Sequence, residues 1–93
     1  MNRVVWSTSA LAQLRSIRAY LERFNPIAAG ELAKGLMAAG NGLVIFPHRG
    51  RPVPATDKRE AVMAYPYIIR YRGVGGTVRI LRVRHTSRRP TNP

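Results

Sequence analysis

The chain contains no cysteine, which removes disulfides and thiolate metal sites together. It is almost as poor in acid: Glu22, Glu31, Asp57 and Glu60 stand against sixteen Lys+Arg, for a formal net charge of +12. No run approaches the roughly 18 uninterrupted apolar residues that a membrane-spanning helix needs. The start, Met1 to Ser7, has no long apolar core of the kind a signal peptide carries, so a cytoplasmic address without membrane association is expected. What is present is a chain of 93 residues, 45% hydrophobic, too apolar for a disordered basic tail. One domain over residues 1–93 is expected, with a basic tail at 86–93, burying roughly 60 to 70% of its unfolded surface.

The charge needs an answer. Self-repulsion at this density weakens a compact state, so nucleic acid or an acidic partner is the expected counterpart. All the cations except Lys34 and Lys58 are arginines. Guanidinium offers planar, bidentate recognition of phosphate or carboxylate and stacks on bases. A GC-rich genome accounts for part of the preference for arginine over lysine, but not for the missing acids.

Arg3 to Trp6 is a short β-prone run, and Ser7 or Ser9 is placed to cap a helix beginning directly after it. Ala10, Leu14, Ile17, Leu21 and Phe24 then recur at spacings of three and four, with charges between them, which predicts an amphipathic helix. Asn25-Pro26 supplies an N-cap and a first-turn proline, so a second helix starts at once and makes a tight helical hairpin. Ile27, Leu32, Leu36 and Met37 are its predicted apolar face. Its end has two readings. Gly40-Asn41-Gly42 breaks the helix on local propensity; alternatively it continues to the stop at Pro47, its glycines admitting the first helix closely.

His48 to Lys58 carries glycine and proline pairs and reads as a loop. Beyond it lie three strands, Arg59 to Met63, Tyr67 to Arg72 and Thr77 to His85, the last two joined by a turn at Gly73 to Gly76. The fold class is therefore α+β: an N-terminal strand, an α-helical hairpin and a three-stranded antiparallel meander, with the helices on one sheet face. Strand alternation sends Tyr67, Ile69 and Tyr71 to one face, and Ile68, Arg70 and Arg72 to the other. It also puts Leu81 and Val83 on one side of the last strand, with Arg82 and Arg84 opposite, beside Val78 and Ile80. If the apolar sides align, Arg70, Arg72, Arg82 and Arg84 form an open cationic surface.

Several stretches, in this order, resemble the RelE/ParE superfamily of toxins from bacterial type II toxin–antitoxin pairs. They are Trp6-Ser7 followed by Ala10, Leu11, Leu14 and Ile17, the run Asn25 to Ala29, Leu43 with Phe46-Pro47, Gly50 to Val53, and the hairpin Tyr65 to Arg72 with Val78 to Arg89. The resemblance implies a growth-arresting toxin neutralised by an acidic antitoxin of the ParD or RelB kind. It leaves two targets: RelE-like members are ribosome-dependent mRNA endoribonucleases, and ParE-like members poison DNA gyrase without cleaving anything.

Metal-free RNA cleavage needs a base for the 2′-hydroxyl, an acid for the leaving oxygen and cations for the phosphorane charge. A ribonuclease would draw these from Arg59, Glu60, Arg70 and His85. Each has a plainer reading: His85 closes the sheet end, Glu60 is an ion-pair partner, Tyr65 and Tyr67 are core or edge aromatics, and His48 is a solvated loop residue. Few lysines line the meander, and the ending Val78 to Arg89 resembles the ParE-like branch. Gyrase inhibition, with no catalytic residue, is therefore the favoured expectation. The target-binding candidates are then Arg70, Arg72, Arg82, Arg84, Arg88 and Arg89. Leu14, Arg18 and Leu21 are the antitoxin-binding candidates, and neither metal nor cofactor is expected. A non-enzymatic basic nucleic-acid-binding domain is a third reading, although no helix-turn-helix, RNA-binding aromatic signature or zinc finger is present.

Overall fold

In the computed structural model, which describes residues 3–62 and 66–86, Ser7 is the joint between strand β1 (Arg3–Trp6) and helix α1 (Thr8–Glu22). Its backbone is extended, and its hydroxyl oxygen accepts from the amide of Ala10 at 3.0 Å, satisfying one of the helix's orphan donors. Beyond α1, Asn25 caps α2 (Pro26–Asn41) in the same way through the amide of Ala28. Both caps and the N1 proline lie where the sequence puts them.

The apolar faces are narrower than the spacing suggests. Ala10 and Leu14 are buried, with Ile17 packed beside them, whereas Phe24 falls outside the helix and lies edge-on to Tyr20, exposed. On α2 the buried stripe is Ala29, Leu36 and Gly40; Ile27, in the first turn, is 80% exposed rather than core.

The α-helix ends at Asn41 and tightens into a 3-10 turn, Gly42–Val44, so the break lies beside Gly40 and the continuation to Pro47 is not α-helical. Gly40 serves the sheet, not α1. A Cβ there would stand 2.7 Å from Ile80 Cδ1 and would collide with the ring of Trp6. Closing this contact, Trp6 Nε1 donates to Asn41 Oδ1 at 3.0 Å.

The chain continues through four more strands: β2 (Arg51–Pro52), β3 (Arg59–Val62), β4 (Tyr67–Val74) and β5 (Thr77–His85). The sheet order is β1-β5-β4-β3-β2, with β1 parallel to β5 and the other pairs antiparallel. The expected meander is present as β3-β4-β5. Met63, which the sequence assigns to β3, lies outside the described residues. The sheet gains β1 on one side and, from the stretch read as loop, the two-residue β2 on the other. Pro52 sits on that outermost strand, where a missing amide is tolerated.

Between Arg70 and Tyr71 the β4–β5 register shifts: Tyr71 pairs with Ile80 but Arg70 with Arg82, so Leu81 is the extra residue of a bulge. One inserted residue reverses the alternation beyond it. Val78 and Ile80 therefore share the helix-facing side with Val83, contrary to uninterrupted alternation, and all three are buried. With Leu14, Leu36, Leu43, Ile69 and Tyr71 they form the core between hairpin and sheet.

Candidate functional site

The sheet's outer face, away from the helices, is laid out by this register. Residues directly opposite on antiparallel strands share a side, so Glu60, Arg70 and Arg82 align in one row, Arg72 and Arg79 in the next, and Ile68 with Arg84 in a third. Arg3 and Arg51 extend the face at its two ends. The surface is cationic, but it is less open than alternation implies. Arg70 is only 7% exposed. Its Nε and Nη2 donate to Glu60 Oε2 at 2.9 and 2.8 Å, and Arg84 Nη2 reaches Glu60 Oε1 at 3.3 Å.

One carboxylate thus gathers two guanidiniums, and the pairing expected for Glu60 is with Arg70 and Arg84 rather than its neighbour Arg59. Arg72 meets Asp57 at 3.5 Å, while its own Nε is buried without a partner among the described residues. Arg82 is half-buried and Arg79 exposed; sequence reasoning omitted Arg79, whose place opposite Arg72 needs the bulge to be known. Arg88 and Arg89 lie outside the described residues.

The four residues a ribonuclease would draw on do not converge on one site. Glu60 and Arg70 face outward, whereas His85 pairs with Tyr67 on the helix-facing side, its ring edge-on to the tyrosine at 5.4 Å. Arg59, opposite Tyr71, also turns to that side and donates to the carbonyl of Gly50 at 2.8 Å and that of His48 at 3.5 Å.

Those bonds belong to a turn at residues 46–49, closed by the amide of Arg49 on the Phe46 carbonyl. The hydroxyl of Tyr71 donates to the Pro47 carbonyl and accepts from the amide of Gly50, both at 2.8 Å. Gly50 is required there, because a Cβ would lie 2.9 Å from both the Glu60 carbonyl and the tyrosine ring. Ile45 and Phe46, though held by this frame, are 70% and 67% exposed. Nothing in the sequence pattern marks this clamp, since its members are far apart along the chain.

The opposite side of the molecule carries a groove between α1 and α2, about 530 Å³ in volume. Leu11, Leu14, Ala33, Met37 and Ala38 give it an apolar floor, with Arg15, Arg18 and Lys34 on its rim. Of the antitoxin-binding candidates, Leu14 and Arg18 line it and Leu21 does not. Leu14 also belongs to the core, and Arg18 pairs with Glu22 along the helix at 3.0 Å.

The molecule is thus a two-helix hairpin roofing a mixed sheet whose far side is arginine-rich. A solved structure of the chromosomal ParDE toxin–antitoxin system from P. aeruginosa superposes with a TM-score of 0.81, covering 91% of this chain and 96% of that one at 22% identity, which establishes the fold. The family described as the ParE toxin of the type II toxin–antitoxin system, parDE, matches residues 4–90. Toxin RelE2 of Caulobacter vibrioides is 46% identical over 88 residues, spanning 95% of this chain and 99% of that protein. The putative toxin Y4kP of Sinorhizobium fredii is 39% identical over 84 residues, covering 89% and 86%. The chain belongs to the ParE toxin family of the RelE/ParE superfamily, as the order of its motifs implies.

Proposed function

We propose that this toxin arrests growth by inhibiting DNA gyrase without cleaving a substrate, and that an acidic cognate antitoxin neutralises it. The observation that carries the reading is the division of Arg59, Glu60, Arg70 and His85 between the two sides of the sheet. A general base must reach the proton it removes, within roughly 3 Å or through one water. Here the only carboxylate of the set is engaged by two arginines and the histidine lies across the sheet from it. The ending Val78 to Arg89, which resembles ParE-like chains, supports the same choice.

In this reading Arg72, Arg79 and Arg82 contact the target, with Arg88 and Arg89 as further contacts, while Arg70 and Arg84 are held in place by Glu60. The antitoxin occupies the groove between the helices: its apolar side chains meet the floor at Leu11, Leu14 and Met37, and its acids meet Arg15, Arg18 and Lys34. Purified toxin should inhibit supercoiling by gyrase and leave mRNA intact on translating ribosomes. Arg72→Gln with Arg82→Gln should weaken that inhibition roughly a hundredfold, given about 1.5 kcal/mol for each charged contact, while His85→Gln retains it. A folded His85→Gln protein that has lost all toxicity, beside a wild type that cuts mRNA, would replace this reading with the ribonuclease.

A further inference from the structure

Resting on the toxin–antitoxin reading above, we propose that Ile45 and Phe46 form a second anchor point for the antitoxin, taking an apolar side chain from an acidic segment that leaves the hairpin groove. The groove points there. Lys34, Met37, Ala38 and Asn41 line it at spacings of three and four, and Ile45 lies four residues beyond Asn41 along the chain. Between them the α-helix gives way to the 3-10 turn Gly42–Val44, with Ile45 as its C-cap. Ile45, Phe46 and Pro47 then border a shallow hollow of about 710 Å³ with His48 and Arg49.

Two features set this patch apart from a stray exposed apolar residue. The first is rigidity. Tyr71, itself 1% exposed, and Arg59 fix the turn through its carbonyls and the Gly50 amide, although neither Ile45 nor Phe46 contributes to the core. A backbone fixed in this way holds the two side chains at set positions on the surface, so less ordering is left for binding to supply. The second is charge. No acidic residue lies between Glu31 and Asp57, and Arg49 and Arg51 are both exposed. The complement is an apolar side chain flanked by carboxylates. Two of the three apolar residues that edge this shallow hollow, Ile45 and Pro47, are aliphatic and offer no π-face to a base, which favours an apolar side chain as the occupant.

The test uses the full toxin and the purified antitoxin from the neighbouring reading frame. Ile45→Ser with Phe46→Ser should reduce affinity roughly 10- to 100-fold, mostly through faster dissociation, with the circular dichroism and melting of the free toxin unchanged. Arg49→Gln should slow association and flatten its salt dependence. As a check that preserves the fold, Phe46→Trp should show a blue shift in emission on antitoxin binding, beyond that of Trp6 alone. Unchanged affinity of the double serine variant, or no blue shift, overturns the anchor while leaving the toxin–antitoxin reading intact. Full antitoxin binding with lost toxicity would assign the patch to the target. Loss of duplex DNA binding alone would assign it to nucleic acid. An antitoxin that fails to bind wild-type toxin removes both readings together.

Discussion

At the scale of single residues, Glu60 is the most consequential side chain, because it engages two arginines of the outer sheet face, Arg70 and Arg84. Breaking a largely buried pair costs more than the pair contributes, since the surviving charge has no partner. Glu60→Gln, which keeps the shape but not the charge, should therefore destabilise the fold by on the order of 3 kcal/mol, measured from the guanidinium midpoint. The double variant with Arg70→Met should recover part of that loss. Ser7, Asn25 and Pro26 were legible in the sequence because each acts within three residues of itself. The clamp of Tyr71 on Pro47 and Gly50 was not, because its partners lie 24 and 21 residues away and only the folded sheet brings them together.

At the scale of elements, the bulge at Leu81 decides which side of β5 each arginine takes, and Gln13 secures the strand just past it. The amide of Val83 donates to Gln13 Oε1 at 2.7 Å, and the Ser7 hydroxyl donates to the Leu81 carbonyl at 3.1 Å, so α1 and its cap serve the edge that β1 leaves uncovered. Gln13→Ala should cost about 1 to 2 kcal/mol and speed hydrogen exchange at Val83 roughly tenfold or more. Exchange at Ile69, deeper in the sheet, should change only with global stability. Helices and long strands were readable from periodicity. The bulge was not, since Val78 to Val83 is apolar at positions of both parities, and β2 has too few residues to alternate. The parallel seat of β1 on β5 has no local signal at all.

At the scale of the whole molecule, a net charge of +12 on a chain of 93 residues predicts that partner binding and stability rise together. An antitoxin at a thousandfold excess over its dissociation constant adds roughly 4 kcal/mol, which for a domain of this size should raise the melting temperature by about 15 °C or more. Differential scanning calorimetry of toxin alone and in complex checks this, and equal melting would contradict it. The placement of β5 bears also on synthesis. It comes after every other described element, yet it sits inside the sheet with β1 on one flank and β4 on the other. While a ribosome is still short of Thr77, β1 has no strand to pair with, the core lacks Val78, Ile80 and Val83, and Arg79, Arg82 and Arg84 do not yet exist. Closure spans more than seventy residues, as the bond from Arg3 to Thr77 measures, so it is a slow step delayed to the end. The nascent toxin completes its sheet and its cationic face together and late, and a product ending before β5 lacks both the strand that closes the core and the arginines Arg79, Arg82 and Arg84.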